Sequence, residues 1–275
     1  MSTSRLLTYL RQDRMPHVWC PGCGNGVIMK AFVDAIDRLL LDPERIAVVS
    51  GIGCSSRVTG YLNFNTMHTL HGRAIAFATG VKLARPEFKV VVMGGDGDVL
   101  AIGGNHFIHA CRRNMDLTVV IFNNNIYGMT GGQYSPTTPE DTYASTAPYG
   151  NIEDQFDTVK LAINSGATYV ARSTVYHYVQ TVQYIQNGLK HKGMSVIEIM
   201  TNCHTYFGRY NGMPEPVQML SYFKEKSVPL KKAEKMPPEE LDGKIVIGEF
   251  VDIEKKTYNE KYEQLKLKLA FKEKE

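Results

Sequence analysis

The sequence has no apolar run that approaches the ~20 residues needed to cross a bilayer. Its amino-terminal segment also lacks the uninterrupted apolar core of a signal peptide, because Arg5, Arg11, Asp13 and Arg14 interrupt it. Neither sign of charge predominates: 31 basic and 28 acidic residues leave a formal net charge of +3, which does not indicate nucleic-acid binding. We therefore expect a cytoplasmic protein with neither a membrane nor a nucleic acid as partner.

Cysteine is scarce, with five in 275 residues. In a reducing compartment so few thiols do not indicate a disulfide framework, and they favour metal ligation or buried thiols. Internal repeats and low-complexity blocks are absent, and a hydrophobic content of 43% is enough to bury a large core. We expect one α/β domain over residues 1–220 and a Lys-, Glu- and Pro-rich arm over residues 221–275, which either is solvated or docks at a subunit interface.

Apolar, β-branched segments alternate with segments of helical periodicity between residues 27 and 200. The predicted strands are 45–50, 89–94, 117–123, 167–172 and 195–200, and the predicted helices are 27–40, 72–85, 104–114 and 175–191. This alternation predicts a doubly wound, mostly parallel α/β sheet. Open sheets of this kind bind ligands beyond the carboxyl ends of their strands.

Residues suited to a metal and a diphosphate follow two of these strands. Asp96 and Asn124 offer oxygen ligands to Mg²⁺, and a backbone carbonyl near Ile126 would join them. Gly95 and Gly97 would let the backbone approach phosphates. Gly-Asp-Gly followed by Asn-Asn resembles the motif of thiamine diphosphate enzymes; a structural loop or another phosphate ligand is the alternative.

A glycine-rich stretch, residues 126–139, continues from this motif. Gly128, Gly131 and Gly132 permit tight turns beside a bound cofactor, and Thr130 and Gln133 could donate hydrogen bonds to phosphate or substrate. The alternative is a surface hairpin.

Four of the cysteines are placed to converge. Cys20 and Cys23 lie on one turn before a predicted helix, and Cys54 and Cys203 each follow a predicted strand, whereas Cys111 is expected to be an ordinary buried thiol within a helix. Four thiolates suit either structural zinc or a 4Fe-4S cluster. A Cys-x-x-Cys pair together with two widely separated single cysteines favours the cluster. Structural zinc and unliganded thiols are the alternatives.

Several motifs together resemble the β subunit of 2-oxoacid:ferredoxin oxidoreductases, over about residues 16–210. They are WCPGCG (residues 19–24), GIGCSSR (51–57), HGR (71–73), GDGD (95–98) and YGMTGGQ (127–133), in that order. The extended stretch YGMTGGQYSPTTP resembles the 2-oxoglutarate branch of the family.

The resemblance implies a thiamine diphosphate-binding fold with three bound groups. It implies that Cys20, Cys23, Cys54 and Cys203 hold a 4Fe-4S cluster and that Asp96, Asn124 and the Ile126 carbonyl hold Mg²⁺. The residues implied to contact the cofactor are Gly53, Ser55, His71, Gly95, Asp96, Gly97, Asp98, Asn124, Tyr127, Gly128, Met129 and Thr130.

The resemblance also implies an incomplete active site in this chain. The glutamate that activates the aminopyrimidine ring of the cofactor normally comes from a separate α subunit, so we expect the isolated chain to be inactive and the assembly to be (αβ)₂. Ferredoxin and coenzyme A are the other implied partners.

Two side chains are candidates for catalysis. His71 and Arg73 lie just before a predicted helix, where the imidazole and guanidinium could face the cofactor or a substrate carboxylate. Capping or packing roles are the alternative for both. We expect the other histidines considered, His17, His106, His109 and His204, to be structural or at the surface.

The expected reaction is CoA-dependent oxidative decarboxylation of 2-oxoglutarate to succinyl-CoA and CO₂ with reduction of ferredoxin, or the reverse carboxylation, which would serve a reductive TCA cycle. Pyruvate or another 2-oxoacid is the alternative substrate. Two other functions stay open: a non-oxidative thiamine diphosphate decarboxylase with structural zinc, and a non-catalytic metal-binding subunit that assembles a complex.

Overall fold

A computed structural model describes residues 3–272 of the chain. The helices of this part are α1 (Thr3–Leu7), α2 (Asn25–Leu39), α3 (Ala74–Ala84), α4 (Gly104–Arg113), α5 (Thr158–Ser165), α6 (Tyr178–Lys190), α7 (Pro216–Lys226), α8 (Leu230–Ala233), α9 (Pro238–Leu241) and α10 (Tyr258–Lys272). The strands are β1 (Ile46–Ser50), β2 (Asn65–His68), β3 (Lys89–Gly95), β4 (Thr118–Asn123), β5 (Ile126–Tyr127), β6 (Gln133–Tyr134), β7 (Tyr169–Thr174), β8 (Ser195–Met200), β9 (Ser227–Pro229) and β10 (Ile245–Asp252).

Eight of these strands form one sheet in the order β2-β1-β3-β4-β8-β7-β10-β9. The first six strands in this order are parallel to one another, and β10 pairs antiparallel with β7. The remaining two, β5 and β6, form a separate antiparallel hairpin. The mostly parallel sheet that the sequence predicts is confirmed.

Helices cover both faces of the sheet. On one face, α2 and α6 bury Phe32 and Ile185 against strand residues such as Val120. On the other face, α3, α4 and α5 bury residues that include Phe107 and Val159. Strands buried on both faces explain the continuous apolar runs in the sequence, and the double winding is as predicted.

Each predicted strand and helix has a counterpart within a few residues of its expected bounds, but several features were not predicted, and three of them lie within the main domain. Strand β2 is short and polar, with the sequence NTMH, and has no apolar alternation to reveal it. Helix α5 begins where the Asp157 side chain accepts hydrogen bonds from the backbone N–H groups of Val159 and Lys160. Residues 97–102 form a wide π-helical turn directly after β3.

The carboxy-terminal segment joins the main sheet. Strand β10 continues the sheet beyond β7, and Glu249 accepts a 2.6 Å hydrogen bond from the Tyr169 hydroxyl. The division between residues 220 and 221 falls within α7. Residues 261–270 of α10 are exposed. The ends of the two predicted regions, residues 1–2 and 273–275, lie outside the described residues. A role of the arm at a subunit interface stays a prediction.

No helix between residues 3 and 272 combines the length and the apolar character needed to span a membrane.

Candidate active site

The carboxyl ends of four neighbouring strands bring the chemically important residues to one edge of the sheet. In the order of the sheet these strands are β1, β3, β4 and β8. Cys54 follows β1, Asp96 follows β3, Asn124 follows β4 and Cys203 follows β8. Because the strands are parallel and adjacent, residues far apart in sequence meet above this edge.

The first of two cavities at this edge, here called the Asp96 cavity, has a volume of ≈ 110 Å³. Its lining includes every residue implied to contact the cofactor, together with Ile126 and Cys54. Asn25, Ile52 and Phe122 also line it, and sequence reasoning missed all three. Asn25 lies in the WCPGCGNG segment, so its position beside Cys23 was a signal that could have identified it.

The Asp96 carboxylate is buried, with an exposed fraction of 2%. Its Oδ2 accepts hydrogen bonds from the hydroxyls of Ser135 at 2.5 Å and Thr137 at 2.7 Å. Burial raises the pKa of Asp96 to about 6, although these two hydroxyls act in the opposite direction. A cation at this carboxylate would favour its charged form.

Three polar atoms converge beside Asp96 in a way that fits a cation. The side-chain oxygen of Asn124 lies 2.7 Å from the Ile126 carbonyl oxygen and 3.1 Å from Oδ1 of Asp96. Rotating the amide would let its nitrogen donate to both oxygens; alternatively, a cation lies between the three oxygens. Octahedral Mg²⁺ with ligands at ~2.1 Å places neighbouring oxygens ~3 Å apart, so the donor set fits the ion.

A second buried carboxylate, Asp98, holds two loops against the turn at residues 97–102. Its Oδ1 accepts hydrogen bonds from the backbone N–H groups of Gly72 at 2.7 Å and Ile52 at 3.2 Å, and lies 2.6 Å from Nδ1 of His71. An ionised carboxylate only accepts, so the proton lies on Nδ1 of His71 and Nε2 remains for other contacts. Asp98 therefore orients His71 at the Asp96 cavity.

Glycines at this edge are required by close packing. A Cβ on Gly51 would overlap the Asp98 carboxylate, and a Cβ on Gly97 would overlap the ring of Tyr127. The Tyr127 hydroxyl donates to the Gly97 carbonyl at 3.2 Å. In contrast, the Ser55 hydroxyl is buried at the cavity and makes no hydrogen bond within residues 3–272, which leaves it for a ligand.

The glycine-rich stretch folds back as the β5–β6 hairpin. Gly131 and Gly132 have φ of 116° and 88°, which favour glycine over other residues. Thr130 lines the Asp96 cavity, whereas Gln133 does not and instead accepts a 2.5 Å hydrogen bond from the Thr130 hydroxyl. The stretch is thus a hairpin that lines the cavity, and its contact with a cofactor or substrate stays a prediction.

Arg73 does not line the Asp96 cavity. Its guanidinium donates hydrogen bonds at 3.3 Å to the carbonyls of Gly72 and Ile102. These contacts hold the start of α3 against the turn at residues 97–102. The structure brings His71, but not Arg73, to the cavity: the two residues lie in a turn before α3, where His71 is held by Asp98 and Arg73 by backbone carbonyls.

The second cavity, here called the cysteine cavity, has a volume of ≈ 120 Å³ and is lined by Cys20, Cys23, Cys54 and Cys203. The turn that carries Cys20 and Cys23 lies before α2 and packs on the loop after β8, where the Asn202 amide donates to the Gly22 carbonyl at 2.9 Å. The Trp19 indole N–H donates to the Cys54 carbonyl at 2.6 Å. All four predicted thiols are thus brought together.

Three of these thiols, Cys23, Cys54 and Cys203, have raised pKa values. Burial, and to a smaller extent the neighbouring cysteines, raises the pKa of Cys23 to about 12 and that of Cys54 to about 11. Burial also raises the pKa of Cys203, against backbone N–H groups of Tyr206 and Phe207 that donate to it. Thiolate ligation to a metal would remove these protons.

No group of three or more His, Cys, Asp or Glu side chains within residues 3–272 could hold a single metal ion as placed. Cys111 is buried in α4, away from the cysteine cavity, as expected. His204, expected to be structural or at the surface, lines the cysteine cavity.

The two cavities have five lining residues in common, here called the shared wall: Asn25, Cys54, Asn124, Gly128 and Met129. A Cβ on Gly128 would lie 3.4 Å from the Cys203 sulfur and 3.8 Å from the Cys54 sulfur. Groups held in the two cavities would therefore be separated by little more than the thickness of this wall.

A family model described as thiamine pyrophosphate enzyme, C-terminal TPP binding domain, matches residues 51–199. This range includes Cys54, Asp96 and Asn124 but not the turn with Cys20 and Cys23.

Curated relatives match a larger part of the chain. The 2-oxoglutarate synthase subunit KorB of Methanocaldococcus jannaschii is 57% identical over 96% of this chain and 97% of its own. The subunit of the same name from Archaeoglobus fulgidus is 53% identical over 79% of each chain. The 2-oxoacid:ferredoxin oxidoreductase subunit beta of Saccharolobus solfataricus is 46% identical over 68% of this chain and 62% of its own.

A solved structure shares the fold. It is the 2-oxoglutarate:ferredoxin oxidoreductase from Magnetococcus marinus with 2-oxoglutarate, coenzyme A and succinyl-CoA bound, and it matches with a TM-score of 0.86 and 32% identity over 98% of this chain and 92% of that one. The chain belongs to the thiamine diphosphate-binding β subunits of 2-oxoacid:ferredoxin oxidoreductases, a family that includes the 2-oxoglutarate synthase subunits KorB.

Proposed function

We propose that this chain, with an α subunit, catalyses the CoA-dependent oxidative decarboxylation of 2-oxoglutarate to succinyl-CoA with reduction of ferredoxin, or the reverse carboxylation. The observation that carries the proposal is the shared wall between the Asp96 cavity and the four-thiol cavity. A redox centre one wall away from a cofactor that forms carbanions would receive its electrons directly.

The Asp96 cavity is proposed to hold thiamine diphosphate through Mg²⁺. The residues that would hold the ion are Asp96, Asn124 and the Ile126 carbonyl, whose oxygens already converge. The free Ser55 hydroxyl and the glycine backbone at Gly95 and Gly97 would contact the cofactor. When bound, thiamine diphosphate supplies a stabilised carbanion equivalent at which a 2-oxoacid loses CO₂.

The cysteine cavity is proposed to hold a 4Fe-4S cluster on Cys20, Cys23, Cys54 and Cys203. Four thiols suit zinc as well as a cluster, but a zinc ion would not accept electrons. Cys54 belongs to the shared wall, so we assign it as the ligand nearest the thiamine cofactor. Ferredoxin would take the electrons onward from the cluster.

We propose that a group from outside this chain transfers the proton to the cofactor. The acidic side chains that line the Asp96 cavity are Asp96, whose Oδ2 accepts from two hydroxyls, and Asp98, whose Oδ1 accepts from backbone N–H groups. The cavity lining contains no glutamate within the described residues. This supports an α subunit that supplies the activating glutamate, and we propose an (αβ)₂ assembly in the cytoplasm.

Within the site, we propose that His71 contacts the substrate or the cofactor. Asp98 fixes the ring and its tautomer, so Nε2 would be presented in one orientation. Arg73 does not line the Asp96 cavity within the described residues, so its predicted catalytic role stays a prediction.

The substrate proposal depends on similarity to the KorB subunits. Pyruvate and other 2-oxoacids share the reacting carbons with 2-oxoglutarate and differ only in the tail, so they are the competing substrates.

The test is anaerobic co-purification of the chain with its α subunit, followed by iron, sulfide and thiamine analysis and by CoA-dependent dye reduction with a panel of 2-oxoacids. We expect about four irons and four sulfides per β chain and the highest kcat/KM with 2-oxoglutarate. One zinc without iron would favour the non-oxidative decarboxylase, and absence of thiamine diphosphate would favour the assembly subunit. Activity with pyruvate alone would overturn the substrate.

A further inference from the structure

One polar side chain of the shared wall has no hydrogen-bond partner among the described residues. Asn25 has an exposed fraction of 2%, and its carboxamide makes no hydrogen bond within residues 3–272. Such groups are rare in native proteins and usually meet a ligand or water. Asn25 lines both cavities, so a ligand in either one could complete it.

The position of Asn25 is set by its backbone. It is the first residue of the 15-residue helix α2, and its N–H donates to the Cys23 sulfur. The preceding Gly24 packs so closely on the loop after β8 that a Cβ there would overlap Thr201 and Asn202. These contacts hold the side chain of Asn25 at the boundary between the cavities.

The other members of the shared wall are assigned to a metal site or lack a strong hydrogen-bonding group. Asn124 takes part in the oxygen cluster with Asp96, and Cys54 is assigned to the metal cluster. Gly128 has no side chain, and Met129 is at most a weak acceptor. Asn25 therefore provides the free polar group of the wall.

The cysteine cavity already has hydrogen-bond donors, whereas the lining of the Asp96 cavity near the shared wall is more apolar. Backbone N–H groups already donate to two of the sulfurs, from Asn25 to Cys23 and from Tyr206 and Phe207 to Cys203. On the other side of the wall, apolar Ile52 and Phe122 line the Asp96 cavity beside Asn25.

On the basis of the proposed function, we infer that Asn25 is a further catalytic residue, whose Nδ2 donates a hydrogen bond to the oxygen on the reacting carbon of the 2-oxoacid. Electrons leave that carbon towards the cysteine cavity, so the carbon lies against the shared wall. Its oxygen gains negative charge as the carbonyl is attacked, and a fixed amide donor stabilises such charge.

The test uses the assembled complex and succinyl phosphonate, an unreactive analogue of 2-oxoglutarate that keeps the carbonyl but cannot release CO₂. Asn25→Leu retains the approximate size of the side chain and removes the donor. Asn25→Asp keeps its shape and replaces the donor by a charge. We expect both variants to bind the analogue at least ~10-fold more weakly, with native thiamine diphosphate affinity and an unchanged midpoint potential of the iron–sulfur cluster in Asn25→Leu.

Asn187→Leu, a matched change on the surface of α6, should leave analogue binding unchanged. A changed cluster potential with native analogue affinity in Asn25→Leu would overturn the inference and assign the amide to the cluster. If Asn25→Leu kept both the native analogue affinity and the native cluster potential, the inference would also be overturned, and Asn25 would only fill space. The proposed function fails separately, if the native complex itself lacks thiamine diphosphate or iron.

Discussion

Asp96 depends on two hydroxyl groups of the glycine-rich stretch that were not predicted as site residues. Ser135 and Thr137 donate to its Oδ2, which leaves Oδ1 directed towards Asn124. The Thr137 hydroxyl also lies 2.9 Å from Oδ1 of Asn123, whose amide donates to the buried Glu198 at 2.7 Å. The proposed metal ligand is thus oriented by a buried polar network that reaches from β3 to β8.

Asp96→Asn should abolish Mg²⁺-dependent binding of thiamine diphosphate. The amide oxygen would turn to the two hydroxyls, which places an NH₂ group where the cation belongs. We expect the dissociation constant, measured by calorimetry on the complex, to rise by far more than 10-fold. Asp116→Asn, at the opposite edge of the sheet beside Lys82, is the control and should bind normally. Unchanged thiamine content in Asp96→Asn would reject the assignment.

Thr137→Val removes one hydroxyl and conserves volume. The single hydroxyl proton of Thr137 lies within reach of Oδ2 of Asp96 and Oδ1 of Asn123. Because one of these buried acceptors would lose its donor, we expect the free energy of unfolding to fall by about 1–3 kcal/mol in urea titrations. Loss of an outer contact to a metal ligand should also weaken Mg²⁺ binding by roughly 10–100-fold. Thr79→Val, within α3, should change neither quantity. Native Mg²⁺ affinity in Thr137→Val would show that Ser135 alone orients the carboxylate.

At the scale of elements, the turn at residues 97–102 connects three segments of the site. Asp98 in this turn holds the loop after β1 through Ile52 and the loop before α3 through His71 and Gly72. Gly51 lies so close to the Asp98 carboxylate that no side chain fits between them. The packing of these segments therefore sets the orientation of His71.

Gly51→Ala should displace Asp98 and lower stability by about 1–3 kcal/mol, because the added methyl group overpacks a buried contact. Thiamine diphosphate binding should weaken with it. Gly80→Ala is the matched control: a Cβ at this helical position meets open space, so we expect a gain of roughly 0.5–1 kcal/mol. Thermal unfolding of both variants tests the pair. Equal stabilities would mean that the Gly51 segment moves away without loss.

At the scale of the whole molecule, the carboxy-terminal segment completes the sheet while its last helix is exposed. Strand β10 covers the edge of β7, and Val251 and Phe250 pack against the buried core on one face of the sheet. Residues 261–270, in contrast, are exposed. The segment thus has a structural part and a part that is available to a partner subunit.

Truncation should separate these two parts. A chain that ends at Gly243 would expose the edge of β7, and we expect a lower melting temperature and aggregation. A chain that ends at Lys261 should melt close to the full-length protein, and any defect should concern assembly with the α subunit instead. Light scattering and thermal unfolding measure both. A soluble chain ending at Gly243 with native melting would contradict the structural role of β10.

The sequence by itself determined the alternation of strands and helices, the Gly-Asp-Gly and Asn-Asn pair and the four thiols, because periodicity and ligand chemistry are local properties. Only the tertiary structure decided which of these residues meet. The order of the parallel strands places Cys54 beside Asp96 and Asn124, and the packing of the α2 start on the loop after β8 brings in Cys20, Cys23 and Asn25. Contacts between segments likewise directed His71 into the cavity and Arg73 to backbone carbonyls, a difference that no spacing in the sequence encodes.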